Sequence, residues 1–191
     1  GDRCRRKIAV VSARGAAAEL QKSSKVAPMS RLESFIRRMT AQRDCLDAAA
    51  ALIADLPGCV LELGLGNGRT FDHLRDRLPD RDIYVFDRQI GAHPDCIPDA
   101  DHLFLGDIEE QLPIAAERLG RSAALIHSDI GIGDKARNAR LVATLAPLLS
   151  AMLRPGGIII ADQEMAQPGW KALPVPAGVP AGRYFLYRTE G

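Results

Sequence analysis

The sequence predicts an α/β protein with a doubly wound, mostly parallel seven-stranded sheet, helices on both faces and a C-terminal antiparallel hairpin. Short apolar runs alternate with helical periodicities between residues 58 and 161, and such alternation is typical of parallel sheets. With 191 residues, 47% of them hydrophobic, the chain can build one domain with a full core. After residue 161 two extended segments flank a loop rich in glycine and proline, which predicts the hairpin.

We expect a basic N-terminal arm over residues 1–29 and a single domain over residues 30–191. The arm holds seven basic and two acidic residues, so it carries a charge of +5 and the rest of the chain −4. A mildly acidic body is untypical of nucleic-acid-binding proteins, and the apolar runs are too short to span a membrane. We therefore expect neither nucleic acid nor membrane as a partner. The arm is either a dispensable leader or a segment that packs on the body or on a second subunit, as in a homodimer.

Residues 30–57 are predicted to form a helical cover. Ser30 and Glu33 have the spacing of a capping box, and apolar residues follow at helical intervals. Polar residues interrupt this stripe at Gln42 and Arg43. The interruption predicts a break between two helices, or alternatively a polar side chain that points into a ligand site.

The core, residues 58–191, is predicted to contain alternating strands and helices. Buried strands are predicted at residues 59–63, 82–86, 102–105, 123–127 and 158–161. Helices are predicted at residues 70–78, from Pro113 to Gly120, and up to Met152 with a kink at Pro147. The hairpin strands are expected at residues 170–175 and 183–189.

A glycine-rich loop follows the first strand, with glycines at positions 64, 66 and 68. Glycines between a strand and a helix allow a tight turn and close approach of a ligand. The dinucleotide fingerprint would require Gly or Ala at position 69, where this chain has Arg69. The register of the loop therefore disfavours a nicotinamide dinucleotide.

Glu62 followed by Gly64, Gly66 and Gly68 resembles motif I of the class I S-adenosylmethionine-dependent methyltransferases, which have a Rossmann-like core. The resemblance extends over roughly residues 58–189. It implies that the loop, including Asn67, passes beneath the methionine moiety of the cofactor. It also implies that Glu62 holds the loop and the cationic amino group. Arg43 is then a candidate to bind the cofactor carboxylate.

Three further segments are predicted to bind the cofactor. Asp87 ends the second strand, where an acid accepts hydrogen bonds from the ribose hydroxyls. The segment Gly106-Asp107-Ile108 resembles the adenine-binding segment of the family, although Asp107 can also cap a helix. Ser128 follows the fourth strand and is expected to face the cofactor.

The candidate catalytic residues follow the fourth strand. Asp129 is predicted to be the base, with His127 second; His127 could instead be a buried core residue, because it lies on an apolar strand. Asp129 together with Asp162 and Gln163 resembles the magnesium ligands of the catechol and caffeoyl-CoA O-methyltransferases. Gln163 in place of Asn and a longer intervening stretch weigh against Mg²⁺. Without a metal, the acids are solvated or contact the substrate.

The resemblance implies an S-adenosylmethionine-dependent methyltransferase. The chain lacks the Asn-Pro-Pro-Tyr tetrad of enzymes that methylate DNA bases or glutamine, and its short cover favours a small-molecule acceptor, with O-methylation expected. Alternatives are a nucleoside-binding protein without catalysis, a polyamine-synthase-like enzyme and, more remotely, an NAD-dependent oxidoreductase. The cysteines form no CxxC pair, which predicts free thiols and a cytoplasmic protein. They are Cys4, Cys45, Cys59 and Cys96.

Overall fold

The structure, a computed structural model, describes residues 29–190. This part of the chain contains four α-helices, seven β-strands and two short 3-10 helices. In chain order they are α1 (Arg31–Leu52), β1 (Cys59–Leu63), α2 (Arg69–Arg77), β2 (Ile83–Asp87), the 3-10 helices Pro94–Cys96 and Ala100–His102, β3 (Leu103–Leu105), α3 (Ile108–Leu119), β4 (Ala123–Ser128), α4 (Lys135–Met152), β5 (Leu153–Ala161), β6 (Trp170–Leu173) and β7 (Phe185–Thr189). Among these helices, none has both the length and the apolar character needed to cross a bilayer.

Contacts divide the chain into two compact units, residues 1–34 and 35–191. The described part of the first unit contains the start of α1, where Ser30 Oγ accepts a hydrogen bond from the Glu33 backbone N–H at 3.0 Å. This is the first of the two hydrogen bonds of the predicted capping box. The remainder of the predicted arm, residues 1–28, lies outside the described residues, so its role stays a prediction.

The seven strands form one sheet in the order β3-β2-β1-β4-β5-β7-β6. Strands β1 to β5 pair in parallel, whereas β7 runs antiparallel to both β5 and β6. The order reverses at β1, because β2 and β3 lie on one side of it and β4 and β5 on the other. Such a switch point opens a crevice at the carboxyl ends of the strands. The predicted sheet and its C-terminal hairpin are confirmed.

Helices cover both faces of the sheet, as predicted. Because side chains alternate along a strand, Val60 packs with α1 and α2 on one face, whereas Leu61 packs with α3 and α4 on the other. Glu62 and His127 pair in register across β1 and β4. Both are fully buried, and by the same alternation they lie on the face that α1 and α2 cover.

The helix α1 runs without interruption from Arg31 to Leu52, so the predicted break at Gln42 and Arg43 is wrong. Polar side chains do not interrupt the backbone hydrogen bonds of a helix when they find partners outside its ladder. The Gln42 side chain is buried, and that of Arg43 is exposed and donates to its neighbour Asp44. The apolar stripe is therefore interrupted by two polar side chains, while the backbone of α1 remains helical.

The helix α3 begins at Ile108, five residues before the predicted start at Pro113. Asp107 caps it by accepting a hydrogen bond from the Glu109 backbone N–H at 3.0 Å, and an aspartate is a stronger start signal than proline. Pro113 lies in the second turn, where its missing N–H removes one hydrogen bond from the helical ladder.

The strand β5 is longer than predicted. It begins at Leu153, directly after α4, five residues before the predicted start at residue 158. The pairing with β4 shifts in register between Leu153 and Ile158, so these residues are accommodated as an irregularity in the strand. The helix α4 likewise continues through Pro147 to Met152.

Candidate functional site

A cavity of about 810 Å³ opens at the carboxyl ends of the central strands. Its walls come from the glycine loop after β1, the ends of β2 and β3, the loop after β4, and the helices α1, α3 and α4. The site residues predicted from the sequence that line it are Gly64, Gly66, Asn67, Asp87, Gly106, Asp107, Ile108 and Asp129. The structure therefore brings together residues from four separate segments at the switch point of the sheet.

The three glycines of the loop have different roles. All have positive φ, a conformation that favours glycine. A Cβ at Gly66 would meet no protein atom within 4 Å, so it would project into the open cavity. A Cβ at Gly64 would lie 2.8 Å from the Asp129 carbonyl oxygen, and one at Gly68 would lie 2.5 Å from Cys96 Cβ. Gly66 therefore leaves space for a ligand, whereas Gly64 and Gly68 allow the loop to pack.

Asp87 holds the glycine loop from the end of β2. One carboxylate oxygen accepts a hydrogen bond from the Gly66 backbone N–H at 2.9 Å, and the other accepts from the Gln89 backbone N–H at 3.2 Å. A carboxylate has about four acceptor positions, so both oxygens can still accept hydrogen bonds from ligand hydroxyls in the cavity. Asp107 lines the same cavity while it caps α3, and its two predicted roles are therefore compatible.

A buried polar chain lies beneath the glycine loop. Glu62 accepts a hydrogen bond from the Thr70 hydroxyl of α2, and its other oxygen lies 2.6 Å from His127 Nδ1. Burial lowers the pKa of His127, but the charge and hydrogen bond of Glu62, together with Asp129 and Asp162, raise it by more. Neither Glu62 nor His127 lines the cavity, so Glu62 supports the loop through Thr70, and His127 is a core residue.

Asp129 is the acidic group of the loop after β4 that faces the cavity. Its backbone N–H donates to the Leu63 carbonyl at 3.1 Å, which fixes the start of this loop against the end of β1. One carboxylate oxygen, Oδ2, accepts a hydrogen bond from Gln42 Nε2 at 2.7 Å. Gln42 also lines the cavity, so the polar interruption of the helical stripe does point into the site, as the second interpretation of the sequence predicted.

Asp162 and Gln163, predicted as magnesium ligands together with Asp129, are hydrogen-bonded to protein groups. Asp162 Oδ2 accepts from the Gly131 backbone N–H at 3.1 Å and from Gln163 Nε2 at 2.9 Å. Gln163 Oε1 in turn accepts from Asn138 Nδ2 at 3.2 Å. Burial raises the pKa of Asp162, and the charge of Asp129 adds to this rise. Within residues 29–190, no three His, Cys, Asp or Glu side chains are placed to hold a metal ion.

Arg43, predicted to meet the cofactor carboxylate, lies outside the cavity. Its side chain is 57% exposed and pairs with Asp44 at 2.7 Å. Arg38, about one and a half turns earlier in α1, lines the cavity instead. The helical phase explains the difference, because residues four apart such as Arg38 and Gln42 share a face, whereas Arg43 is rotated by about 100° from Gln42.

Several lining residues were not predicted as site residues from the sequence, and five of them are arginines. Besides Arg38, they include Arg69 and Arg88, which follow the glycine loop and β2, and Arg137 and Arg140 in the first turns of α4. No short motif marks these positions. Arg137 and Arg140 could have been found from a helical projection of α4 that was aligned on its buried residues.

Two buried hydroxyl and carboxyl atoms of the region have no hydrogen-bond partner in the described residues: Ser128 Oγ and Asp162 Oδ1. Ser128, predicted to contact the cofactor, is fully buried at the end of β4 and does not line the cavity. Strand alternation explains this, because Ser128 points to the opposite face of the sheet from its neighbours His127 and Asp129.

Comparison with known proteins gives the family of the chain. A family model described as S-adenosyl-L-methionine methyltransferase matches residues 29–189. An S-adenosyl-L-methionine methyl transferase from Silicibacter pomeroyi DSS-3 is 45% identical, with a TM-score of 0.79 over 84% of this chain and 99% of that chain. A search of curated protein sequences returned no match.

Two more distant structures share the fold. One is the 1,6-didemethyltoxoflavin-N1-methyltransferase of Burkholderia thailandensis, at 16% identity and a TM-score of 0.50 over 97% of this chain and 93% of that chain. The other is a probable spermidine synthase from Corynebacterium glutamicum ATCC 13032, at 16% identity and a TM-score of 0.52 over 79% and 63%. The family match and the 45% identity establish that the chain belongs to the S-adenosyl-L-methionine-dependent methyltransferases.

Proposed function

We propose that the chain transfers the methyl group of S-adenosylmethionine to an oxygen atom of a small-molecule acceptor, with Asp129 as the base. The observation that carries the proposal is that Asp129 and the glycine loop line one cavity, with the Asp129 carbonyl directly against Gly64. A carboxylate at this point can accept a proton from a hydroxyl group next to the methyl donor.

The residues of the cavity fit the cofactor. The open space above Gly66 takes a moiety that passes close to the backbone. Asp87 suits the ribose hydroxyls, and Asp107 with the adjacent Ile108 backbone suits the adenine ring. Arg38 supplies a cation for the carboxylate of the methionine moiety. The ribose, the adenine and the carboxylate of the cofactor therefore each find a partner of complementary chemistry.

Bound S-adenosylmethionine supplies a methyl group that its sulfonium already activates. The protein contributes orientation, which is worth about 7–11 kcal/mol in favourable cases. Gln42 donates to Asp129 Oδ2 and so fixes the plane of the carboxylate. The other oxygen, Oδ1, is then placed to accept the hydroxyl proton as the new C–O bond forms.

A small acceptor is favoured because the cavity is covered by α1 and α4 within one domain. Family membership argues against the nicotinamide-dependent alternative. We also propose a cytoplasmic protein with free thiols. Cys45 and Cys59 are free and buried, and burial raises the pKa of Cys45 to about 11. Such unreactive thiols are compatible with a cytoplasmic protein. A homodimer rests on the charge of residues 1–29.

The proposal is tested with S-adenosylmethionine that carries an isotopic label in its methyl group. The chain is incubated with a panel of small hydroxy, carboxy and amino compounds, and the products are separated and identified by mass spectrometry. Transfer of the label to an oxygen atom supports the proposal. Transfer only to nitrogen or carbon contradicts the O-methyltransferase assignment, and binding of S-adenosylhomocysteine without any transfer favours a nucleoside-binding protein.

A further inference from the structure

The cavity contains more cationic side chains than the cofactor requires. Five arginines line it, and within residues 29–190 none of them forms an ion pair with a carboxylate; they are Arg38, Arg69, Arg88, Arg137 and Arg140. Two arginines outside the cavity are paired by contrast: Arg75 lies 2.6 Å from Asp72 and Arg77 lies 2.8 Å from Asp47. No carboxylate of the described residues therefore neutralises the charge of the five cavity arginines through an ion pair.

The five arginines fall into separate groups. Arg38 and Arg69 lie beside the glycine loop, and both guanidinium groups approach the ring of Phe35, at 5.6 and 5.9 Å from its centroid. Arg88 follows Asp87 at the end of β2. These three are at the cofactor end of the cavity, where the cofactor has a single carboxylate. Arg137 and Arg140 belong to α4 and extend the cavity beyond Asp129.

The two arginines of α4 are on one face of that helix. Residues three, four and seven apart share a helical face, and Arg137, Arg140 and Thr144 follow this spacing while all three line the cavity. Both arginine side chains are exposed, so they reach the cavity from its rim. Their positions allow both guanidinium groups to approach one anion.

A buried amide ties this face of α4 to the loop after β4. Asn138, between the two arginines and only 5% exposed, donates from Nδ2 to the Ile132 carbonyl at 2.7 Å. Its Oδ1 accepts from the Ile132 backbone N–H at 3.0 Å. The loop that begins at Asp129 is thus fastened to the first turns of α4, and the arginines have a defined position relative to Asp129.

We propose that Arg137 and Arg140 form a subsite that binds a carboxylate or phosphate group of the methyl acceptor. The inference rests on the proposed function, because it takes the molecule bound beside Asp129 to be the acceptor. Guanidinium groups bind carboxylate and phosphate through paired hydrogen bonds. Their charge also allows an anionic molecule to enter a cavity that already contains the carboxylate of Asp129, which would otherwise repel it.

The test uses the complex of the chain with S-adenosylhomocysteine, whose formation is measured first by calorimetry. Inorganic phosphate and acetate are then titrated at constant ionic strength, and binding is followed by NMR of the arginine Nε–H groups. Three proteins are compared: the wild type, R137Q/R140Q, and K135Q. Lys135 lies in the same turn of α4 but does not line the cavity, so K135Q removes a nearby charge without touching the subsite.

We expect saturable binding of at least one anion by the wild type and by K135Q. Removal of a charge-assisted hydrogen bond weakens binding by about tenfold or more, so R137Q/R140Q is expected to show a loss of about 100-fold. The stronger of the two anions identifies the acid group as phosphate or carboxylate.

The subsite is contradicted if neither anion saturates, if R137Q/R140Q binds like the wild type, or if K135Q loses as much affinity as R137Q/R140Q. Failure to bind S-adenosylhomocysteine would instead contradict the proposed function itself. Normal binding of S-adenosylhomocysteine without anion binding contradicts the subsite alone.

Discussion

Gln42 Nε2 donates a hydrogen bond of 2.7 Å to Asp129 Oδ2 and so joins the middle of α1 to the loop after β4. The two residues are 87 positions apart in the chain. Among the described residues, Asp129 is the only carboxylate of this loop that lines the cavity. The hydrogen bond occupies one of its two oxygens. Asp129 is therefore held in one orientation, with its second oxygen available for a proton.

Replacement of Asp129 by Asn should leave cofactor binding intact and slow turnover. The substitution keeps the shape of the side chain and its bond to Gln42, but removes the charge that accepts a proton. We expect turnover to fall by about 10²–10⁴-fold, the range for loss of a general base, with unchanged calorimetric affinity for S-adenosylhomocysteine. Turnover is measured with an acceptor found in the label-transfer panel.

The same assay separates a base from a metal ligand. Wild-type turnover should be unaffected by EDTA, because Asp162 Oδ2 and Gln163 Oε1 already accept hydrogen bonds from protein groups. Loss of turnover on chelation, restored by Mg²⁺, would overturn this expectation. Full activity in Asp129→Asn would remove Asp129 from the mechanism.

Gly66→Val should abolish binding of S-adenosylhomocysteine without unfolding the domain, because the new side chain projects into the cavity. Gly120→Val is the matched control: Gly120 has φ of 57°, close to the 52° of Gly66, and its Cβ would also meet no atom within 4 Å. Both variants should lose about 1–3 kcal/mol of unfolding free energy through backbone strain. Only Gly66→Val should lose binding in calorimetry; equal binding by the two variants contradicts the assignment.

Arg38→Ala should weaken binding of S-adenosylhomocysteine by about 10- to 100-fold, the range for loss of a charge-assisted hydrogen bond. Arg43→Ala should have no effect on that affinity, because Arg43 pairs with Asp44 outside the cavity. Calorimetry on both variants checks the pair. If Arg43→Ala weakened the affinity and Arg38→Ala left it unchanged, Arg43 would be the residue that binds the cofactor carboxylate.

The unfolding free energy should decrease as the pH rises above about 6.5, the ordinary pKa of histidine. The pKa of His127 is raised in the folded chain, so above this pH the folded chain keeps a proton that the unfolded chain releases. The contribution is fully present below the unfolded pKa and is lost as the pH rises through the folded pKa. Urea unfolding over a pH series measures it.

The control for this series is His102→Gln. A hydrogen bond with Asp99 raises the pKa of His102 as well, although burial opposes the rise, so His102 contributes to the pH dependence in the same direction. We expect the unfolding free energy of His102→Gln to keep a clear dependence on pH. In His127→Gln the same dependence should be flatter. If His127→Gln keeps the slope of the wild type, the Glu62–His127 pair does not contribute to it.

A chain that begins at Met29 tests the basic arm. If residues 1–28 link two subunits, the shortened chain should sediment as a monomer where the full chain sediments as a dimer. The charge of +5 on residues 1–29 against −4 on the rest motivates the comparison. Equal mass and equal activity of the two chains would show that the arm is dispensable.

Features with local causes were predictable from the sequence. The strand β1 was predicted with its observed bounds, because a continuous apolar run ends in glycines that must turn. Asp87 and Asp107 were found because each follows a strand and lies near the carboxyl edge of the sheet. Local patterns suffice where the end of a strand by itself places a residue at that edge.

Features with distant partners were not predictable. The partner of Gln42 is Asp129, and only the folded chain shows that this polar residue satisfies its amide within one continuous α1. Arg137 and Arg140 could not be assigned to the cavity without the rotation of α4, which packing of its buried residues sets. His127 was placed as a second base because its pairing with Glu62 depends on strand register.

The chain Thr70–Glu62–His127 also has an evolutionary consequence. Each member satisfies the next inside an apolar layer, and loss of one member of a buried pair costs about 3–5 kcal/mol, because the other is left as an uncompensated charge. We therefore expect selection against single substitutions, and tolerance of a simultaneous replacement by apolar residues. Among relatives, positions 62 and 127 should covary: lineages should keep the acid and the imidazole together or exchange both.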